Sequence, residues 1–469
     1  MVRLVNSTSL SALTALLLCS CASVSDMTSE AETMARSDVP LEQDSFRGDA
    51  SGIGSIEDGW LAKIDDPVLT GLVTEALANN RDLSAAASRV EEAWALAGKA
   101  GSALSPQVSA GIQTSGQGTG TSEPQGSTGL GVQASWEIDL WGRLRSGANA
   151  ASQDAAAAAL DFQYAQQSLA AAVARAYFFA VEGNIREQIA IDSETALKDV
   201  VRIVTAQKNE GLATAQDLAL ANTDLGQIED TRIAAGGAKR DALRALELLL
   251  GRYPGAELDV AKQLPPPPAL PPAGLPSEML ERRPDLVAAE RRLAASLGRV
   301  NEAKAARLPS LSLTGSAGGS STELSSLLSP ANVAWQAASS LIAPVIDGGR
   351  RQRDVEIANA RQQAALDEYV AAALSAFGET ETGLDQNKVL AERETVLTTS
   401  STNAAEAYRL ARLNYESGET GLLEVQEIQL RKLEADNLLA AVSRGRLVQF
   451  VDLNLALGGT WEGVATNGL

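Results

Sequence analysis

Apolar positions along this chain change period several times, and each change marks a different kind of element. From Asp66-Pro67 the residues Leu69, Leu72, Val73, Ala76 and Leu77 fall on one helical face. A second helix is predicted over roughly 82–100, with Pro106 at its exit. The period then drops to two. Val108, Ala110 and Ile112 alternate with small polar residues over 107–115, and Leu130, Val132, Ala134, Trp136, Ile138 and Leu140 do so over 129–140. A Gly/Ser/Thr-rich loop separates the two runs. One apolar face at period two suits a membrane barrel strand, with Trp136 and Trp141 placed for an interfacial girdle, and equally a soluble hairpin packed on a helix.

A helical run then extends from about Arg145 to Asn209, halts at Gly211 and resumes to about Leu250. The same figure returns from about Arg351 to Glu416, halts at Gly418 and resumes to about Leu457. At 1.5 Å per residue each first arm is roughly 95 Å long, about three times the thickness of bilayer hydrocarbon. Alanine-rich stretches such as Ala155–Ala159 and Ala170–Ala172 let neighbouring helices come close. Leu264 opens a proline-rich run that cannot be helix and reads as a stiff linker.

That linker separates two copies of one plan. Asp82-Leu83 through Pro106 match Asp285-Leu286 through Pro309, and strands are expected again at 310–318 and 332–345. Further on, Gly142-Arg143, Gly211 and Gly251 match Gly349-Arg350, Gly418 and Gly458 at one constant spacing. The predicted organisation is therefore a leader over 1–20, an N-terminal segment over 21–65, rich in Ser, Asp and Glu and irregular as far as Gly59, and a first repeat over 66–251. A linker over 252–276, a second repeat over 277–458 and a tail over 459–469 complete it. The Gly-Arg pairs mark where strand becomes helix, with Asp139 and Asp347 beside them as candidate caps.

Composition narrows the chemistry. The 469 residues are 45% hydrophobic but only 4% aromatic, carry a formal charge of −20 and include no histidine. An acidic chain is a poor partner for nucleic acid. Without histidine the usual general base and commonest metal ligand are missing, so neither catalysis nor a metal or other cofactor is expected. The two cysteines, Cys19 and Cys21, both stand near the start. Arg3 followed by the apolar run Leu10–Leu18 reads as a signal peptide. Leu18-Cys19-Ser20-Cys21 resembles a bacterial lipobox, which implies cleavage before Cys21 and attachment there of a diacylglycerol thioether and an N-acyl chain.

If the four strands lie in lipid, an open sheet is excluded, because every backbone group there must be paired. Closure takes about eight strands at least, so several chains must share one barrel. At this point the chain resembles the TolC-like outer membrane efflux family, in its NodT-type lipoprotein branch. The resemblance is carried by Leu280-Glu-Arg-Arg-Pro-Asp-Leu-Val-Ala-Ala-Glu290, Ala303-Lys-Ala-Ala-Arg-Leu-Pro-Ser-Leu-Ser-Leu313, Trp136-Glu-Ile-Asp-Leu-Trp-Gly-Arg143, Pro344-Val-Ile-Asp-Gly-Gly-Arg350 and Tyr415-Glu-Ser-Gly-Glu-Thr-Gly421. It implies a homotrimer with a twelve-stranded β-barrel in the outer membrane, continuous with a long periplasmic α-helical barrel. It also implies work as a passive exit duct of a tripartite pump, beside a periplasmic adaptor and an inner-membrane transporter of the resistance-nodulation-division type. Small toxic compounds are the expected cargo. Protein export through a type I secretion system, or a lipid-anchored periplasmic coiled-coil scaffold, are the alternatives.

The resemblance also assigns roles near the turns. Glu424 and Glu427, one helical turn apart beyond Gly418, match the family's acidic pair at the periplasmic aperture. Three chains would ring one narrow hole with six carboxylates, which favours cations. Asp217 and Tyr415 match positions that tether neighbouring hairpins when the tip is shut, although Thr420 stands where that tether has arginine, which leaves neutral hydrogen bonds or another cation such as Arg412 to hold the closed state. Gly211 and Gly418 make the tight turns, and the grooves beside them are where the resemblance places the adaptor.

Overall fold

The computed structural model describes residues 27–39, 45–48, 56–118, 120 and 125–462. Cys21 and the leader lie outside them. In chain order the helices are α1 (Met27–Asp38), α2 (Trp60–Ile64), α3 (Pro67–Asn79) and α4 (Arg81–Ser102), followed by strands β1 (Gln107–Gln117) and β2 (Gln125–Ile138). Next come α5 (Arg143–Asn209), α6 (Ala215–Leu249), α7 (Pro276–Arg282), α8 (Pro284–Ala305), β3 (Ser310–Ser321), β4 (Val333–Ile342), α9 (Arg350–Glu416) and α10 (Leu422–Ala456). Both α5 and α9 run 67 residues, and both α6 and α10 run 35, so the two helical hairpins repeat in length.

Two compact units organise the chain. The first gathers Ser88–Leu160 and Leu286–Ala372 with the described residues before Pro40. It holds one antiparallel sheet in the order β1-β2-β3-β4. The register sorts the side chains. Ala110 pairs with Val132, Ile112 with Leu130, Trp136 with Leu313, Ile138 with Leu311, Leu311 with Leu341 and Ala317 with Trp335. Since partners across a ladder share a face, these residues make one apolar surface. The opposite surface is built from Gln, Ser, Thr, Gly and Ala, with Ile342 at its edge and Glu137 as its only charge. Most of the apolar surface is bare among the described residues: Val108 is 66%, Ile112 71% and Trp335 81% exposed. Among the described residues β1 and β4 each leave one edge unpaired.

Beside the sheet, Gly298 of α8 sits so close to Ala150 and the Ser146 carbonyl of α5 that a methyl there would clash. Arg299 pairs with Asp154 across the same contact. Two expectations need correcting here. Within 23–59, expected to be irregular, α1 forms, because Met27, Ala31 and Ala35 recur every fourth residue and bury one face. The strand expected to reach 345 ends at Ile342, since Pro344 and the positive-φ glycines Gly348 and Gly349 cannot continue a ladder.

The second unit gathers Asp161–Asp285 and Ala373 onward with the described residues between Leu41 and Ala87. Its core joins Trp60, Leu69, Leu72 and Val73 to Tyr177, Phe178 and Val181 of α5, Leu243 and Leu246 of α6, and Leu447 and Phe450 of α10. Asp66 fastens this core: one carboxylate oxygen accepts from the backbone N–H groups of Val68 and Leu69, and the other accepts from the Tyr177 hydroxyl at 2.7 Å. Burial, followed by the Asp66 bond, holds the Tyr177 hydroxyl protonated well above the ordinary tyrosine range.

The motif around Pro284 gains a physical reason. Pro284 opens α8, while Arg283, 4% exposed, donates to Asp285, to Glu379 at 2.8 Å and to the Ala456 carbonyl at 3.2 Å. Arg282 reaches Asp58 at 2.8 Å.

Candidate functional site

The turn region of the two hairpins lies within the second unit. Helix α5 ends at Gly211 with φ +77, and α9 ends at Gly418 with φ +80. In both, the glycine N–H bonds three residues back and the next N–H bonds five back: Leu212 to Gln207 at 2.8 Å, Glu419 to Asn414 at 2.7 Å. This is the Schellman ending, which needs a left-handed residue and therefore favours glycine. An apolar plug of Val200, Val204, Ala221, Ala411, Tyr415, Leu422 and Val425 joins all four helices just behind the turns.

Asp217 caps its own helix. Its carboxylate accepts from the Thr214 backbone N–H and hydroxyl, both at 2.8 Å, while the Thr214 oxygen accepts from the Asp217 N–H at 3.1 Å. The backbone N–H and then the hydroxyl of Thr214 hold this carboxyl below the usual range. Tyr415, 8% exposed, donates to Gln207 Oε1 at 2.8 Å rather than to Asp217. Burial and, second, the Asp217 charge push its hydroxyl up. Asp217 and Tyr415 are thus brought into one neighbourhood without bonding each other. Thr420, at the tether arginine's position, has a buried hydroxyl with no partner. Arg412 bridges Glu416 at 3.2 Å and Asp199 of α5 at 3.8 Å.

Glu424 and Glu427 are both exposed on the first turns of α10. Glu427 pairs with Arg431 at 2.5 Å, a partner four residues on that sequence reasoning missed although the spacing is visible. At the strand–helix junctions, Asp139 accepts from the N–H groups of Leu144 and Arg145, and Asp347 from those of Gly349 and Arg351. Backbone N–H groups, Arg351's first, hold the Asp347 carboxyl low. Both aspartates cap their helices from across a positive-φ glycine, Gly142 or Gly349. The Trp136 and Trp141 indoles donate to the carbonyls of Leu104 and Pro309.

No described helix is long and apolar enough to cross a membrane, and no described group of three His, Cys, Asp or Glu could hold a metal. The surface suited to lipid is the exposed apolar face of the sheet.

Comparison with known proteins agrees with that arrangement. The family profile described as "Outer membrane efflux protein" matches residues 72–252 and 275–459. The toluene efflux pump outer membrane protein TtgF of Pseudomonas putida is 30% identical over 419 residues, 87% of either chain. Outer membrane protein OprJ of Pseudomonas aeruginosa is 31% identical over 426 residues, 86% of either chain. The open-state structure of the Neisseria gonorrhoeae MtrE outer membrane channel superposes with a TM-score of 0.83 at 28% identity, covering 92% of this chain and 98% of that one. A sheet with one bare apolar face, two matching helical hairpins and these likenesses lead to one conclusion: the chain belongs to the outer membrane efflux protein family, with a TolC-like fold and a place in the outer membrane.

Proposed function

We propose that three copies of this chain close their sheets into a twelve-stranded barrel and their hairpins into a continuous duct. Through it small toxic compounds leave passively, delivered by a periplasmic adaptor and an inner-membrane transporter of the resistance-nodulation-division type. The observation that carries this is the sheet with one exposed apolar face and two unpaired edges. The apolar face suits lipid, but the unpaired edges are not tolerable there unless further strands complete the wall. A water-soluble scaffold would not leave such a face bare. TtgF, by its name, serves toluene efflux, which favours small apolar cargo here as well.

In this reading Glu424 and Glu427 ring the periplasmic aperture, with Arg431 tempering the charge of the second. Asp217 and Tyr415 belong to the closed tip, where Arg412 with Asp199 stands in for the missing tether arginine. The turns at Gly211 and Gly418 border the adaptor's grooves. Cys21 carries the diacylglycerol thioether and N-acyl chain. The test is the mass of the detergent-solubilised oligomer together with conductance in planar bilayers. Three chains and discrete, cation-preferring channels are expected, with the preference reduced by Glu424→Ala/Glu427→Ala. A monomer, or protein that never conducts even with both glutamates removed, would refute it.

A further inference from the structure

Roughly three to four helical turns behind the glycine turns, a cavity of about 100 Å³ lies between α5, α6 and α10. One wall is apolar, from Leu197, Ile228 and Leu430, and the other presents Asp224, Gln426 and Gln429. Both glutamines are only 6% exposed. Gln429 donates its Nε2 to the Ser193 carbonyl at 3.3 Å, but its Oε1 has no partner, and neither has Gln426 Nε2. Asp224 makes no hydrogen bond or ion pair among the described residues, and burial pushes its carboxyl up.

The repeat explains why Asp224 is alone. In the second copy its position is held by Arg431, which pairs with Glu427 one turn earlier. In the first copy the residue one turn before Asp224 is Leu220, and one turn after it is Ile228. Neither offers a charge.

Buried polar atoms without partners are few in native proteins, and each points to something that satisfies it. Two such atoms, Gln429 Oε1 as acceptor and Gln426 Nε2 as donor, line this cavity, and beside them stands the half-buried Asp224 carboxylate with no partner among the described residues. Water would serve these but would wet the leucine wall poorly, and a hard metal ion would find one carboxylate where it needs several oxygens. A protonated amine donates to both acceptors, a neighbouring hydroxyl accepts from the donor, and a branched alkyl group covers the apolar wall. The cavity has room for several waters, and because it opens to solvent on one side such a molecule need not be wholly enclosed.

We propose that this cavity is a binding site for small amphiphilic amino alcohols, held by Asp224, Gln426 and Gln429 and packed against Leu197 and Ile228. Bound there, the ligand ties α10, the helix of Glu424 and Glu427, to the first hairpin. The site itself does not rest on the reading of those glutamates as an aperture.

Valinol is a suitable probe, with 3-methyl-1-butanol as its counterpart lacking the amine. Isothermal titration of the detergent-solubilised full-length protein should give saturable valinol binding at one site per chain. Asp224→Asn should weaken it at least tenfold, and Ile228→Phe, which fills the cavity without touching charge, should do the same, both with an unfolding temperature close to the parent's. The alcohol should bind at least tenfold more weakly than the amine. Glu424→Ala/Glu427→Ala should bind valinol as the parent does, which separates this site from the acidic turn residues. No saturable binding, equal binding by Asp224→Asn or by the alcohol, or loss on removing Glu424 and Glu427 would each overturn the assignment.

Discussion

The two halves of the second unit solve the same structural problems with different side chains. Asn80 and Arg283 occupy matching positions before α4 and α8. Asn80 donates to the Leu249 carbonyl at 3.0 Å and accepts from the Leu83 N–H; Arg283 donates to the Ala456 carbonyl, which matches Leu249. Behind them, Gly251 and Gly458 leave no room for a side chain: a methyl would meet the Asn79 carbonyl oxygen or the Arg282 backbone. One clasp is neutral and self-contained. The other is charged and held by Asp285 and Glu379.

At the turns the same divergence appears. Thr214 and Asp217 form a capping box, whereas the matching Gly421 and Glu424 form none. With glycine where the first copy has threonine, the second turn lacks the hydroxyl that would hold the carboxylate inward. The backbone punctuation is therefore shared between copies, and the free charge at the second turn follows from the absence of one hydroxyl.

The largest effect should come from the charged clasp. Asp285→Asn with Glu379→Gln strands a buried guanidinium, an uncompensated charge that typically costs about 3–5 kcal/mol. Partial exposure of Glu379 places the expected loss at the lower end, read as a fall in thermal unfolding temperature of the detergent-solubilised protein. Next, Asn80→Ala leaves a buried carbonyl and N–H unmet and should cost about 1–3 kcal/mol, with little salt dependence. Equal salt sensitivity of the two clasps would erase the contrast between them.

A smaller effect is expected from Gly421→Thr, which writes the first turn's cap into the second. It should stabilise the protein by only about a few tenths of a kcal/mol and draw Glu424 into a capping box. In planar bilayers the same variant should show weaker cation preference than the parent. Thr214→Gly, the reverse exchange, should cost only a few tenths of a kcal/mol.

The smallest effect is a pH limb. Because the Asp217 carboxyl is held low in the folded state, its contribution is complete above the ordinary aspartate range, about pH 4. It is lost as pH falls through the lower folded value. Asp217→Asn should flatten that acid limb of the stability curve by lowering stability slightly at neutral pH, while leaving stability at low pH nearly unchanged. An unchanged acid limb would remove the cap from the account.

Much of this was legible beforehand, for identifiable reasons. The long helices and their turns announce themselves through glycine and proline, and the structure moves their ends by only a few residues. The strands were legible only where apolar residues alternate. Gln125-Gly-Ser-Thr128 offers no such signal, so β2 begins four residues before the apolar pattern starts, fastened by pairing with β1. The Thr214-x-x-Asp217 cap could have been found from its spacing alone. The Asn80 and Arg283 clasps, and the cavity beside Asp224, depend on contacts between elements far apart in sequence, and local periodicity carries no trace of them.

The polar surface of the sheet has a consequence of its own. Apart from Glu137, which is tied to Arg143, it presents hydroxyls, carboxamides, methyls and bare glycine hydrogens. Such a lining carries almost no field, and its longest members, Ile342 and glutamines such as Gln113, Gln133 and Gln336, are uncharged. Traffic passing along any bore it encloses therefore meets a wall indifferent to sign, so a shift in cargo elsewhere in the pump would require no rewriting here.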